Sequence, residues 1–203
     1  TNPHLLKVSD LKEGKIEPIM LNNEGVSGGT FPIHSGAVIK GHTYVSNLSG
    51  GGKGSPLMIY YYETPASAPE VILNVTLDTI DGANSRHGDN ASFNLDENGN
   101  GYVFFGNNAA TDVLRFTIRN WKEIDPASAT VLGSDSNANS YITVNRIWGT
   151  DSYIFGGIYM APKIVDESMS VQYSLKPTSV PAQSTACQII SFNDERYLVT
   201  MTA

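Results

Sequence analysis

A short phrase recurs four times along the chain and constrains its fold more than any other feature. Each copy places a small or polar residue first, then a tyrosine, then β-branched or aromatic residues. The copies are GHTYVSN (41–47), GYVFFGN (101–107), DSYIFGG (151–157) and ERYLVTM (195–201). The aligned tyrosines are Tyr44, Tyr102, Tyr153 and Tyr197, with spacings of 58, 51 and 44 residues. An irregular period near 50 residues is typical of a four-stranded unit with loops of variable length.

Further apolar stretches flank these phrases and complete the repeated unit. If the tyrosine phrase is strand B, a strand A precedes it at 36–40, 91–95, 142–148 and 187–192. A strand C follows at 57–63, 113–119 and 170–176, and a strand D at 70–75 and 129–132. Alternation with a period of two recurs, whereas no window sustains the spacing of an amphipathic helix. The sequence therefore predicts an all-β chain.

The two ends of the chain look like complementary halves of one unit. Residues 4–21 parallel 113–132 and are predicted to supply a C–D pair, and residues 187–203 an A–B pair. Complete units are expected at about 33–75, 90–132 and 140–183. Repeated four-stranded antiparallel sheets predict a single β-propeller domain over residues 1–203. This would be a ring of four blade equivalents or part of a larger propeller, with a two-sheet sandwich as the alternative.

The segment LDENGNG (95–101) begins like a calcium loop, but we predict that it is a hairpin turn. The equivalent A–B connections elsewhere lack the residue pattern of a calcium loop, and the twelfth loop position, which needs a bidentate glutamate, is Asn107. Asn-Gly pairs supply the positive φ angles of tight hairpins. No two histidines are spaced as zinc ligands on a helix. We predict neither a metal site nor a cofactor.

Charge and composition indicate which partners are disfavoured and where the protein is located. The net charge of −7 and the pI near 5.0 disfavour nucleic acid and anionic membranes, which need a basic surface. No apolar run is long enough to span a membrane. The single Cys187 excludes an internal disulfide. Abundant Ser, Thr, Asn and Gly favour an extracytoplasmic location, periplasmic or at the cell surface. The start Thr1-Asn2-Pro3 is expected to follow a removed segment, so that the signal sequence is not in this chain.

Candidate binding residues concentrate in the D–A and B–C loops, which open on one face of a propeller. His34 and His87 each precede a strand A. We predict a polar ligand site formed by His34, Arg86, His87, Asp89, Asn107 and Asn108. The histidines and the arginine would donate hydrogen bonds, and the carboxylate and amides would accept them. The alternative is that each histidine bonds only to a neighbouring unit.

Two phrases in the second unit carry a family resemblance. DENGNGYVFFGNN (96–108) and TDVLRFTIRNWKEI (111–124) resemble exported β-propeller proteins of gut Bacteroidetes that are grouped as domains of unknown function. The resemblance implies a surface or periplasmic setting and a role in binding glycans or nutrients.

The function predicted from these observations is that of a non-catalytic binding module for a carbohydrate or a cell-surface partner. One alternative is a hydrolase or lyase that acts on polysaccharide, with Asp89 and a second loop acid as its carboxylates. The other is a scaffold whose faces join other chains.

Overall fold

Antiparallel strands account for almost all the regular structure of the chain. The computed structural model describes residues 3–83, 86–107, 112–132, 143–147, 150–156, 162–168, 170–174 and 184–202. Near the N-terminus, β1 (His4–Leu5) pairs with β2 (Ile19–Met20). The helix α1 (Val8–Lys12) lies between them and was not predicted; its five residues are too few to show a helical period.

The first two complete sheets follow the predicted strand order. The first sheet is β3 (Phe31–Ile39), β4 (His42–Leu48), β5 (Pro56–Tyr62) and β6 (Glu70–Thr76), with a 3₁₀ turn at Leu77–Thr79 after it. The second sheet is β7 (Asn90–Leu95), β8 (Gly101–Gly106) and β9 (Val113–Arg119), with β10 (Glu123–Ile124) and β11 (Thr130–Leu132) both paired with β9. A 3₁₀ turn at Pro126–Ser128 separates β10 from β11.

The third sheet corrects one strand assignment. It consists of β12 (Thr143–Arg146), β13 (Ser152–Gly156), β14 (Lys163–Asp166) and β15 (Val171–Ser174), in that order. The stretch predicted as the third strand, 170–176, is therefore the fourth. β14 was missed because its four residues include only two apolar ones, and a register shift at Ile164/Val165 interrupts its pairing with β15. The hairpin of β16 (Ser184–Phe192) and β17 (Glu195–Thr202) follows, as predicted.

Successive sheets pack face to face in chain order. Tyr44 of the first sheet stacks on Phe93 of the second, with ring centroids 4.7 Å apart. Phe104 of the second sheet lies 5.2 Å from the ring of Tyr153 in the third. The first strands of the sheets are also neighbours, because β7 lies beside both β3 and β12, and β12 lies beside β16. The all-β prediction is confirmed as a series of open antiparallel sheets.

The four repeated tyrosines occupy second strands, but they do not all face the same way. Tyr44 and Tyr102 face the following sheet, whereas Tyr153 faces the preceding one. A shift of one residue in a strand moves every side chain to the opposite face. The alignment on tyrosine therefore predicts the second strands correctly. It assigns Tyr153 to the wrong face, because the third phrase is offset from the first two by an odd number of residues.

The predicted hairpin at 95–101 is confirmed. It joins β7 to β8, and one carboxylate oxygen of Asp96 accepts hydrogen bonds from the backbone N–H groups of Asn98 and Asn100, both at 2.8 Å. These bonds, that from Asn100 first, hold the pKa of Asp96 below its usual value. Gly99 has a φ of +76°. The Asp96 carboxylate therefore stabilises the turn in which it lies.

The buried tyrosines predict how stability changes in alkali. Burial is the main cause that raises the pKa of Tyr153 from 10.0 to about 12. The unfolded chain thus loses this proton first, so the free energy of unfolding should fall by roughly 2 kcal/mol from this group as the pH rises from about 10 to about 12. Urea unfolding at a series of pH values should show a shallower decline in Tyr153→Phe. An identical decline in the variant and the wild type would contradict the assignment.

Candidate functional site

Three loops meet at one end of the first two sheets. They are the loop after β4, the segment before β7, and the β8–β9 loop, of which residues 108–111 lie outside the described part. The N–H of Ser49 donates to the carbonyl oxygen of His87 at 2.9 Å, and the N–H of His87 donates to Ser49 Oγ at 2.8 Å. The N–H of Gly88 donates to the carbonyl oxygen of Gly106 at 3.1 Å. Hydrogen bonds therefore tie the segment before β7 to both neighbouring loops.

The side chain of His87 contacts the carboxylate of Asp112 at the centre of this junction. His87 Nε2 lies 2.9 Å from Asp112 Oδ2, and the two side chains are 0% and 4% exposed. Asn107 Nδ2 donates to the other carboxylate oxygen of Asp112 at 3.3 Å. Because an ionised carboxylate can only accept, His87 carries its hydrogen on Nε2. The buried carboxylate thus accepts hydrogen bonds from His87, in the segment before β7, and from Asn107, in the β8–β9 loop. A buried charge requires such partners.

The second ring nitrogen of His87 is unusual. Nδ1 is buried and has no hydrogen-bond partner within the described residues. Leaving such a group unsatisfied costs about 1–3 kcal/mol.

An ion pair between Arg86 and Asp89 lies next to His87 in the sequence. Arg86 Nη2 donates to Asp89 Oδ1 at 2.6 Å, and Arg86 Nε donates to Asp89 Oδ2 at 3.2 Å. This is the two-pronged geometry that a guanidinium favours with a carboxylate. The Asp89 side chain is buried, whereas that of Arg86 is 33% exposed. Arg86 thus neutralises a buried carboxylate and still reaches the surface.

His34 lies on the strand beside the junction. Strand β3 pairs with β4 at Phe31↔Leu48 and at Ser35↔Ser46, so residues 32–34 run beside the residues that precede Ser49. His34 is exposed, and its ring centroid is 6.1 Å from that of Phe31, which is also exposed. The two rings form a small aromatic patch at the edge of this end of the sheets.

The structure brings together four of the six predicted site residues. Arg86 and Asp89 form an ion pair, and His87 and Asn107 both bond to Asp112 at the same junction. His34 lies on the adjacent strand, and Asn108 lies outside the described residues. Sequence reasoning missed Ser49 and Asp112. We name the set Ser49, Arg86, His87, Asp89, Asn107 and Asp112 the loop network. His87, Asp89 and Asn107 are buried in it, so among the predicted residues that the structure describes, His34 and Arg86 face solvent.

The loops also approach too closely for ordinary side chains. Gly88 has a φ of +100°, and a Cβ at this position would lie 2.4 Å from the carbonyl oxygen of Asn47. Gly29 on the other side has a φ of +72°, and its Cβ would lie 2.2 Å from the carbonyl oxygen of Leu48. Glycine is required at both positions because residues 47–48 are enclosed between two backbone segments.

The described ranges contain neither a preformed metal site nor a membrane-spanning helix. No group of three or more His, Cys, Asp and Glu side chains there is placed to hold a metal ion. No helix of the described chain combines the length and apolar character needed to cross a membrane.

The loop network predicts different costs for two histidine substitutions. His87→Ala removes the imidazole that bonds to the buried Asp112 carboxylate, so the free energy of unfolding should fall by about 1–3 kcal/mol. His34→Ala removes an exposed ring and should change it by less than about 0.5 kcal/mol. Urea unfolding of both variants at neutral pH makes the comparison. Equal effects would show that the Asp112 contact does not stabilise the loops.

Comparison with known proteins places the chain in a family. The model of DUF4623, a domain of unknown function, matches residues 1–203. A crystal structure of a DUF4623 family protein from Bacteroides eggerthii is 51% identical and superposes with a TM-score of 0.89. The match covers 99% of this chain and 45% of that one, so the chain spans less than half the length of this relative. No functionally curated protein matches. The chain belongs to the DUF4623 family.

Proposed function

We propose that the chain is a non-catalytic binding module whose loop end, at the first two sheets, holds a carbohydrate. The observation that supports this best is the loop network, which joins three loops beside the exposed rings of Phe31 and His34.

The loop network suits a binding surface because it fixes loop shape. Two buried carboxylates, Asp89 and Asp112, each have a cationic or imidazole partner and little access to water. Buried ion pairs contribute little net stability, since desolvation offsets their attraction, but they require a defined geometry. Loops held in one geometry lose less conformational entropy when a ligand binds. The network therefore supplies a preformed surface.

The exposed groups beside the network suit a neutral, hydroxyl-rich ligand. Phe31 is 54% exposed and can pack against the C–H face of a sugar ring. His34 and the exposed part of Arg86 can donate to hydroxyl groups. The net charge of −7 disfavours polyanions. An uncharged glycan is the ligand class that these groups favour.

The positions of the carboxylates favour binding over hydrolysis. A polysaccharide hydrolase needs two carboxyl groups that reach the scissile bond. Asp89 is paired with Arg86 through both oxygens, and both oxygens of Asp112 are bonded to His87 and Asn107. Each would have to leave its partner to act on a substrate.

We also propose that the sheets are blades of a β-propeller with four blade equivalents here. The support is that the sheets stack in chain order and that their first strands are successive neighbours, as inner strands of blades are. In such an arrangement the loop network lies on the face that carries the D–A and B–C loops. The polar, cysteine-poor composition and the Bacteroides relative favour a periplasmic or cell-surface location.

Glycan binding by matched variants tests the ligand proposal. The wild-type chain should bind a subset of neutral glycans on an array, and calorimetry should show at least about fivefold weaker binding by Phe31→Ala, since a lost stacking contact costs about 1 kcal/mol. Tyr173→Ala is the control, because Tyr173 is 53% exposed, close to the 54% of Phe31, and lies in the third sheet.

Three results would contradict the proposal. They are the absence of saturable binding to any glycan, equal affinities of the Phe31 and Tyr173 variants, and release of new reducing ends from a bound glycan by the wild type but not by Asp89→Asn. The third result would favour the hydrolase.

A further inference from the structure

The last hairpin carries an apolar face that no described part of the chain covers. Its large hydrophobic residues are Ile190 (40% exposed), Phe192 (62%), Tyr197 (44%) and Val199 (39%). A folded domain rarely leaves four large apolar side chains together on one strand pair unless the surface meets a partner.

These four residues lie on the same side of the hairpin. Ile190 pairs directly with Tyr197, while Phe192 and Val199 lie two positions along their strands from this pair. Residues two apart in a strand share a face, and so do directly paired residues. The rings of Phe192 and Tyr197 are 6.5 Å apart. The side chains therefore form one continuous apolar patch, which we call the hairpin face.

Equivalent faces elsewhere in the chain are covered by another sheet. Tyr44 of β4 is buried against Phe93 of the second sheet, and Phe104 of β8 is buried against Tyr153 of the third. β16 lies beside β12 and β13 of the third sheet, yet the hairpin face stays exposed there, so the third sheet does not cover it. Among the described residues, no further sheet packs on the hairpin face.

The described hairpin also lacks a strand partner that the other sheets have. In the three larger sheets the second strand pairs on both sides, as β4 does with β3 and β5. Among the described residues, β17 pairs only with β16. A partner that continues the pattern would pair with the edge of β17 opposite β16 and also supply a sheet to cover the face.

We propose that the hairpin face is the docking surface for a further antiparallel β-sheet that belongs to the same polypeptide in longer DUF4623 proteins. The Bacteroides eggerthii relative matches this chain over 45% of its own length, so more than half of that polypeptide is available to supply such a sheet. The interface would continue the sheet-on-sheet packing already present between the first three sheets. It does not depend on the ligand proposed above.

Thiol labelling of matched cysteine variants tests the docking surface. In a Cys187→Ala background, Tyr197→Cys and Val71→Cys should react with a maleimide at similar rates in the 203-residue chain, because Tyr197 and Val71 are both 44% exposed. In the intact Bacteroides eggerthii protein, with any native cysteine replaced by alanine, a cysteine at the position aligned with Tyr197 should react at least about tenfold more slowly than one aligned with Val71.

Two further measurements complete the test: labelling of a second cysteine variant, and sedimentation to determine the oligomeric state. Phe192→Cys should behave like Tyr197→Cys if the latter fails to fold by circular dichroism. Equal labelling rates at the two positions in the intact protein would overturn the proposal. A concentration-dependent dimer of the 203-residue chain that protects Tyr197→Cys would also overturn it, since a second copy would then be the occupant.

Discussion

Burial of both faces of each sheet is the constraint on which the rest of this structure depends. A four-stranded antiparallel sheet with apolar residues on both sides has to be covered twice. Tyr44, Ile59 and Tyr61 of the first sheet pack towards the second, while Val45, Tyr60 and Tyr62 pack towards the N-terminal strand pair. Stacking in chain order satisfies this requirement with short connections. It also brings the loop ends of neighbouring sheets together.

The loop network is a consequence of that stacking. The segment before β7 has to enter the second sheet beside the end of β4, and Gly88 allows its backbone to pass against Asn47. The buried polar groups there have little access to water, so they bond within the junction: His87 bonds with Asp112 and Ser49, and Asp89 bonds with Arg86, which still reaches the surface. The loop network thus forms where the loop ends of the first two sheets meet.

The sequence allowed the strands to be predicted because alternation and turn residues are local signals. It did not allow β14 to be found, since KIVD carries too few apolar residues to show a pattern. It located Tyr153 in a strand but not on a face, because the face depends on a register that differs by an odd number of residues between repeats.

The candidate site was predictable in part for the same reason. Arg86, His87 and Asp89 cluster within four residues, so sequence proximity marked them. Asp112 lies 25 residues from its partner His87, and Ser49 lies 38 residues away on another sheet. Only the packing of sheets brings them together. Burial, which decides whether a residue contacts a ligand or supports the loop, is likewise a property of the fold.

Amide hydrogen exchange in the loops tests the central claim, that the loop network holds this end of the chain in one shape. The N–H groups of Ser49, His87 and Gly88 each donate within the junction, whereas Gly51 and Gly52 lie in the exposed part of the same β4–β5 loop. We expect the first three amides to exchange at least about a hundredfold more slowly than the two glycine amides. Exchange of all five at similar rates would contradict it.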